Sequence, residues 1–456
     1  RGDNSMNNFY LQKNTEINGK ILKNIINATK RNNELNRFEN LFDYYANSRR
    51  ITDKFNHEVI TRTGFAKYIV RLTVGYLIGK AVEYQATEGL DITPILDSYK
   101  KQTISRLDSR LAKDCAIYGK AYEMVYLNEE AQIRSVKVDV RNAILVRDSS
   151  VEHRKLFGLV YEPVFDDEGR AKANHFNLTI LYPDRVEIRT LNDGNLSEPI
   201  ETHTHYFGEV PLIEYINNDE MSGSFEEVLS DIDAYNILKS DRLNDRRKLA
   251  DALLAISGAR LKSEDKESLM NEMVALLPEG AKMEYISKNT DETGTDILRR
   301  NVNDDIHKVA MVPDMTDQNF IGNSSGVALA YKLLPFMMNS TDKERYFEES
   351  LLERFRIYAK FFNTKAQMSE ISTDDVDVIF KHNLPKNDLE TSQIINTLSG
   401  LGLVDKETLV AQLSFVQNAE EIVELARQET DMKVIKAGND FGNQPKNPND
   451  EDVDEK

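Results

Sequence analysis

The sequence predicts an α+β fold, in an elongated chain that assembles with copies of itself, and three observations point there. Hydrophobic residues recur every three to four positions before about residue 121, every second position between about 121 and 216, and every three to four again afterwards. The later helical patterns are poorly covered. Lys239–Lys248 holds one apolar residue in ten, and a pattern over about 325–362 would span roughly 57 Å at 1.5 Å per residue. Finally, 456 residues with 40% hydrophobic content suffice for two to four cores of roughly 100–200 residues each.

Taken in order, residues 1–45 are rich in Asn and Lys. After the Asn18-Gly19 turn, Ile21, Leu22, Ile25 and Ile26 share one helical face, and Arg31-Asn32-Asn33 breaks the run. A second helix is expected over about 55–80, with Ile69, Leu72 and Tyr76 on its apolar side and Gly79 as its stop. A third runs over about 91–119, with Pro94 in its first turn. Then Val136, Val138 and Val140 alternate with polar residues, as do Val186 and Ile188, while Leu178, Ile180 and Tyr182 alternate with Thr179 and Leu181. Turn signals at Asp166–Gly169, Pro183-Asp184 and Asn192–Asn195 separate them, so 121–216 reads as an antiparallel meander.

Ser224 with Glu227 forms a capping-box pattern before a helix whose stripe is Phe225, Val228, Leu229, Ile232 and Tyr235. Its continuation is polar all round until Leu249. Residues 259–289 read as a small α/β module, with a helix over Ser263–Leu277 and a strand over Lys282–Ser287. Thr295 is placed to cap a helix carrying Leu298, Val302, Ile306 and Val309, which Pro313 ends. Asp314–Ser324 is a polar, flexible loop. The long helix after it contains Pro335, which predicts a kink near residues 331–335. A short strand at Val376, Val378 and Phe380 follows, then short helices over 389–436. Residues 437–456, acidic and poor in apolar side chains, are expected to be disordered.

Composition narrows the function. The net charge of −18, from 76 acidic and 58 basic residues, excludes a protein held on DNA by overall attraction. The one cysteine, Cys115, excludes an internal disulfide framework and fits synthesis in a reducing cytoplasm. No run of about 18 uncharged apolar residues is present to cross a membrane. Phosphate-loop, dinucleotide and His-Glu-x-x-His patterns are missing. Gly322-Asn323-Ser324-Ser325-Gly326 fits a nucleophile-elbow spacing, but a polar loop precedes it where that turn needs a buried strand. His203 and His205 could face one way on a strand without an evident third metal ligand, and Asp304, Asp305 and His307 sit together on a helix. Each reads more plainly as polar side chains facing water, so no catalytic, cofactor or metal site is expected. Two alternatives stay open: a metal-dependent nuclease built on Asp304 and Asp305, or a structural scaffold that forms no ring.

Five stretches carry a resemblance. They are Phe65–Val70 with Gly75–Lys80, Tyr118–Glu123, Gly208–Glu214, Asp231–Asn236 with Ser240-Asp241, and Val312–Met315 leading to Gly322–Ala328. In this order and spacing the chain resembles the bacteriophage portal proteins of long-tailed phages of Gram-positive bacteria. The resemblance implies a ring, typically of twelve subunits, at one capsid vertex of the virion, assembled in the host cytoplasm. It implies a wing over 1–223 with a return strand over 363–388, stem helices over 224–254 and 295–312, and a clip over 255–294. A tunnel loop would cover 313–324, the kinked helix 325–362 and a crown 389–436. Implied partners are the terminase large subunit, major capsid and scaffolding proteins, a head–tail adaptor, and double-stranded DNA passing without sequence specificity. Asp314, Thr316, Asp317, Gln318 and Asn319 would face that DNA, Pro335 would kink the helix, and Lys262, Glu264, Lys266 and Glu267 would lie on the clip's docking surface. Twelve chains at −18 each would carry −216, a wall of the DNA's own sign along which a duplex slides without sticking.

Overall fold

Period-two alternation does build sheets, though two of them rather than one. The computed structural model describes residues 9–48, 59–87, 89–250, 253–258, 280–286, 292–316, 326–365, 372–382, 388–402, 404–413, 416 and 419–428, in a mixed α+β fold of two units, 1–383 and 384–456. In the first unit, strands β1 (Phe9–Leu11), β2 (Glu83–Ala86), β3 (Lys120–Leu127), β4 (Ile133–Val138), β5 (Ala143–Asp148), β6 (Lys155–Phe165), β7 (Ala171–Leu181), β8 (Arg185–Asn192), β9 (Asn195–Leu196), β10 (Glu201–Thr204) and β11 (Leu212–Ile216) are described. The larger sheet has the order β1-β5-β6-β7-β8-β10, with β9 on β8, and is antiparallel except for the β1–β5 edge. The smaller sheet is β11-β3-β4. The division falls at Val140, expected in a strand but found in a 3-10 turn. There Asp139 accepts the Arg141 amide at 2.9 Å and swings the chain from one sheet to the other.

Helix α1 (Gly19–Arg31) closes the larger sheet. Its face of Leu22, Ile25 and Ile26 packs against Val146, Phe157, Leu159, Leu178 and Ile180. Helix α2 (Glu34–Ala46) follows after Asn33 in the left-handed conformation, which suits asparagine. The expected helix over 55–80 is shorter, α3 (Phe65–Leu77): residues 59–64 form no helix, and 55–58 lie outside the described residues. The expected helix over 91–119 is two, α4 (Thr93–Gln102) and α5 (Ile104–Tyr118). Thr103 between them has φ +57°, and the break lets Ile95 and Tyr99 on one side and Leu111 and Cys115 on the other reach one core. Gly119 turns α5 into β3 at φ +86°, where a Cβ would lie 1.8 Å from the Met221 carbonyl oxygen, so only glycine fits.

Helix α6 (Leu229–Ala250) does not begin in a capping box of Ser224 and Glu227. A 3-10 turn over Glu226–Val228 precedes it, and Glu226 takes the capping role: it accepts the Gly223 amide at 2.9 Å while held by Arg37 at 2.6 and 2.7 Å. Phe225, Val228, Ile232 and Tyr235 are buried along the expected stripe. The apolar stretch after Leu249 leaves the helix. Leu253–Ser257 is strand β12, paired antiparallel with β13 (Lys282–Ile286). Helix α7 (Glu292–Val309) starts before Thr295, which lies inside its first turn rather than ahead of it. It is closed not by Pro313 but by Met311 at φ +51°, with the Met311 and Val312 amides bonded back to Lys308 and His307.

Helix α8 (Gly326–Thr364) runs 39 residues, about 58 Å, with Pro335 inside it. From Phe347 to Phe361 it lies on the smaller sheet in a core with Leu111, Val125, Ile213 and Tyr215. Strand β14 (Val376–Ile379) pairs antiparallel with β2. The second unit contains α9 (Asp388–Leu401), α10 (Lys406–Val410) and a helical stretch over 419–428. Among its described residues, Leu409 and Val423 are buried, while Ile394, Leu401 and Leu425 are exposed. The expected helix over 263–277, the four clip residues and the tail over 437–456 lie outside the described residues.

Candidate functional site

The polar middle of α6 is covered by its own chain. Asn236, Ser240 and Asn244, four residues apart, form one buried stripe. Against it runs the extended segment 59–63, whose alternate residues bond to it in turn. The Thr63 amide donates to Asn236 Oδ1 at 2.8 Å, the Thr61 amide to Ser240 Oγ at 3.0 Å, and the Val59 amide to Asn244 Oδ1 at 3.0 Å, while Asn244 Nδ2 returns a bond to the Val59 carbonyl at 2.6 Å. The match is geometric. Two extended residues rise about 6.6 Å and four helical residues about 6.0 Å, so period two and period four stay in step.

Helix α7 runs antiparallel to α6. Asp296 accepts from Arg242 at 3.2 Å and from Arg299 at 3.1 Å and forms an ion pair with Arg300 at 2.9 Å, and the hydrogen bonds, that from Arg299 first, hold its carboxyl below the usual range. Arg299 also donates to the Tyr235 hydroxyl at 3.0 Å. The open side of this pair carries apolar residues among charged ones: Ile237, Leu243, Ile297, Leu298 and Val309 are exposed, Ile297 to 55%, beside exposed Arg300, Asp304 and Asp305. The first half of α8 is similar, with Tyr331 exposed to 72%, Met338 to 65%, and Leu334 beside them.

Past α7, the chain is fastened over the first residues of the 313–324 segment. The Tyr68 hydroxyl on α3 donates to the Pro313 carbonyl at 2.7 Å and accepts the Met315 amide at 3.1 Å. Asp314 accepts from the Thr316 amide and hydroxyl at 2.9 and 2.6 Å and from Asn303 Nδ2 at 3.2 Å. Burial pushes the Asp314 carboxyl up, but those bonds and His307 nearby outweigh it and leave it low. His307 bonds through Nδ1 to the Val312 carbonyl at 3.0 Å, and its ring meets Phe65 and Tyr68 edge-on.

The comparisons with known proteins fall on this framework. The family described as phage portal protein, SPP1 Gp6-like, matches residues 24–435, from α1 through the second unit. The chain belongs to that family. The portal protein of Bacillus phage SPP1 is 22% identical over 405 residues, covering 85% of this chain and 79% of its own length.

Within this portal-family chain the expected site residues separate. Asp314 and Thr316 come together, but as a bonded turn with Asp314 half-buried rather than as free loop side chains. Asp317, Gln318, Asn319 and Ser324 lie outside the described residues. Pro335 is on the exposed side of α8. Asp304 and Asp305 face outward, while His307 turns in toward Val312, so the nuclease-like triple does not converge. His203 is exposed beside Glu201, whereas His205 is buried with Nε2 3.0 Å from the Tyr182 carbonyl; the two imidazoles share no site. No group of three or more His, Cys, Asp or Glu placed to hold a metal occurs among the described residues. Cys115 is a core residue whose thiol burial pushes well up. Tyr68, Asn303 and the 59–63 segment escape a reading of the sequence. The four-residue spacing of Asn236, Ser240 and Asn244 is the one local signal, and on its own it reads as solvated surface.

Proposed function

We propose that this chain is the portal subunit of a phage: about twelve copies close a ring at a unique capsid vertex, through which double-stranded DNA enters during packaging and leaves at ejection. The match to a portal family over residues 24–435 carries the reading. The exposed apolar residues on α6, α7 and the first half of α8 support it, since large apolar side chains left open on helices suit a neighbouring copy. Here 1–223 and the 363–388 return form the wing, and 224–254 with 295–312 the stem, its first helix giving way to strand at Leu253. The clip, 255–294, would meet the terminase and later a head–tail adaptor through Lys262, Glu264, Lys266 and Glu267. The capsid and scaffolding proteins surround the ring, and assembly takes place in the host cytoplasm. The loop 313–324 reaches toward the DNA through Asp317, Gln318 and Asn319 from the fastened turn of Asp314 and Thr316, the crown is 389–436, and Pro335 supplies a point where the long helix can bend. The subunit is a conduit and docking hub that catalyses no reaction itself.

One experiment tests ring and loop together. Residues Thr316 to Asn319 are deleted, and particle mass and packaged DNA are measured for both proteins. Both should assemble near 626 kDa, about twelve copies of 52.2 kDa, and the deletion should lower DNA packaging or retention. A monomer near 52.2 kDa in the intact protein overturns the ring, and unchanged packaging in the deletion overturns the channel loop.

A further inference from the structure

We infer that the Tyr68 hydroxyl is a positioning group for the root of the 313–324 loop, a latch by which helix α3 holds the point where the chain leaves the stem. The inference rests on the portal reading for its consequence, and on geometry alone for its existence.

A phenol is one donor and one acceptor, and here both are used on the same short stretch of backbone. The hydroxyl gives its proton to the Pro313 carbonyl at 2.7 Å and receives the Met315 amide at 3.1 Å, so it bridges residues two apart. Proline contributes no amide, and Met311 is already in the left-handed conformation that ends α7. The Tyr68 bonds therefore hold a stretch that has left helical structure. Asp314, between the two bonded residues, ties the same stretch to α7 through Asn303 and to Thr316 ahead. The ring of Tyr68 is set by edge-on packing against His307, at 5.7 Å between centroids, and His307 is itself bonded to Val312. The helix that presents Tyr68 is anchored at its entrance. Residues 59–63 are bonded along α6, and Phe65 packs edge-on against Tyr235 at 5.0 Å. A shift of α3 relative to the stem must therefore move the loop root or break both Tyr68 bonds. The position of the loop root, Pro313–Met315, is thus set from α3 as well as from the stem.

The test removes one oxygen. Tyr68→Phe keeps the ring against His307, so the packing that orders α3 is retained. In full-length protein with Cys115→Ala, Met315→Cys carries a nitroxide spin label; the Met315 side chain is exposed, and only its amide takes part in the latch. With Tyr68 in place the label should report a restricted backbone. In assembled rings of the Tyr68→Phe variant, losing the two hydrogen bonds should raise the detached population about five- to thirtyfold and add a mobile spectral component. Packaged DNA per head should fall with ring mass unchanged. Asp314→Ala, which loosens the same turn from the other side, should add a smaller mobile component. A spectrum in the Tyr68→Phe rings as restricted as with Tyr68 overturns the latch, whatever packaging does. A mobile label with undiminished packaging overturns its positioning role. The loop deletion described above keeps the two readings apart: an inert deletion removes the channel function while the spectral result still decides whether the latch exists.

Discussion

The two halves of helix α8 are one continuous helix in two different environments. From Phe347 onward the residues facing the smaller sheet, Leu351, Arg354, Phe355 and Tyr358, are buried almost completely. Before residue 340, Tyr331, Leu334, Pro335 and Met338 face outward. The second half completes a core within its own subunit, while the first half is anchored on one side by Phe336 against Tyr76 and leaves Tyr331, Leu334 and Met338 exposed on the other. If copies assemble as proposed, a subunit would fold on the second half and meet its neighbour through the first, and the two events would be separable by mutation.

The sharpest way to break the folded half is at Arg354, whose side chain is 0% exposed. Its Nε is 2.9 Å from both Glu123 oxygens, and Nη2 donates to Asp108 at 2.6 Å and to the Tyr215 hydroxyl at 2.9 Å, joining α8, α5, β3 and β11. Burial pushes the Asp108 carboxyl up against the pull of Arg354. Arg354→Met leaves two carboxylates buried without their cation and should cost about 3–5 kcal/mol, read as a lowered urea midpoint or loss of soluble protein. Adding Asp108→Asn and Glu123→Gln should recover much of the loss. A single variant as stable as the parent would show that the cluster does not hold α8 in place.

The assembling half should respond oppositely. Leu334→Glu with Met338→Glu places charge on exposed positions, so circular dichroism and the urea midpoint should hardly change. Mass should fall from the ring toward 52.2 kDa, because burying an unpaired charge at each subunit contact is costly. Intact rings from this variant would mean that the outer face of α8 meets solvent in the assembly.

How much of this contrast the sequence disclosed depends on how far apart the partners lie. The α+β class, the period-two strands, the α1 stripe of Leu22, Ile25 and Ile26 and the length of α8 rest on neighbours within a few residues, and they were legible. So was the burial of Phe225, Val228 and Ile232. The exact starts were not. Ser224 and Glu227 had the spacing of a capping box, but Arg37, nearly two hundred residues away, fixes Glu226 instead. The covering of Asn236, Ser240 and Asn244 needs residues 59–63, and the Tyr68 latch spans 245 positions to Pro313. An aromatic in an amphipathic helix carries no local sign of which carbonyl its hydroxyl will find. For residues 314–316 the sequence reads polarity as freedom, whereas the polar groups of Asp314 and Thr316 are spent on each other.

The smallest expected effect lies where the two halves of α8 meet. Lys343 is buried, and burial lowers its ammonium to about 8. Next to it Glu344 is raised to about 7 by burial, with Glu348 adding to the shift. His382 stands with Nε2 3.4 Å from a Glu344 oxygen, stacked on Tyr76, and burial lowers its own proton affinity. The signs follow from which state binds the proton. Folded Glu344 holds its proton more tightly than the unfolded chain does, so its contribution is fullest below the ordinary value of 4.5 and is lost as pH rises toward about 7. Folded Lys343 holds its proton less tightly, so its contribution is recovered only as pH rises from about 8 toward 10.5. Between pH 7 and 8 both groups are largely charged in a poorly solvated place, and the junction is at its weakest there. Glu344→Gln cannot ionise. Its melting temperature relative to the parent should therefore climb between pH 5 and pH 8 and then level off, with a gain of about 1 kcal/mol once exposure of the carboxyl is discounted. Subtracting the parent at each pH removes the titration of the other carboxylates, and His382 is checked by repeating the series with His382→Gln. A difference that stays flat from pH 5 to 8 in both backgrounds would place Glu344 in contact with water and leave the junction no weaker than the halves it joins.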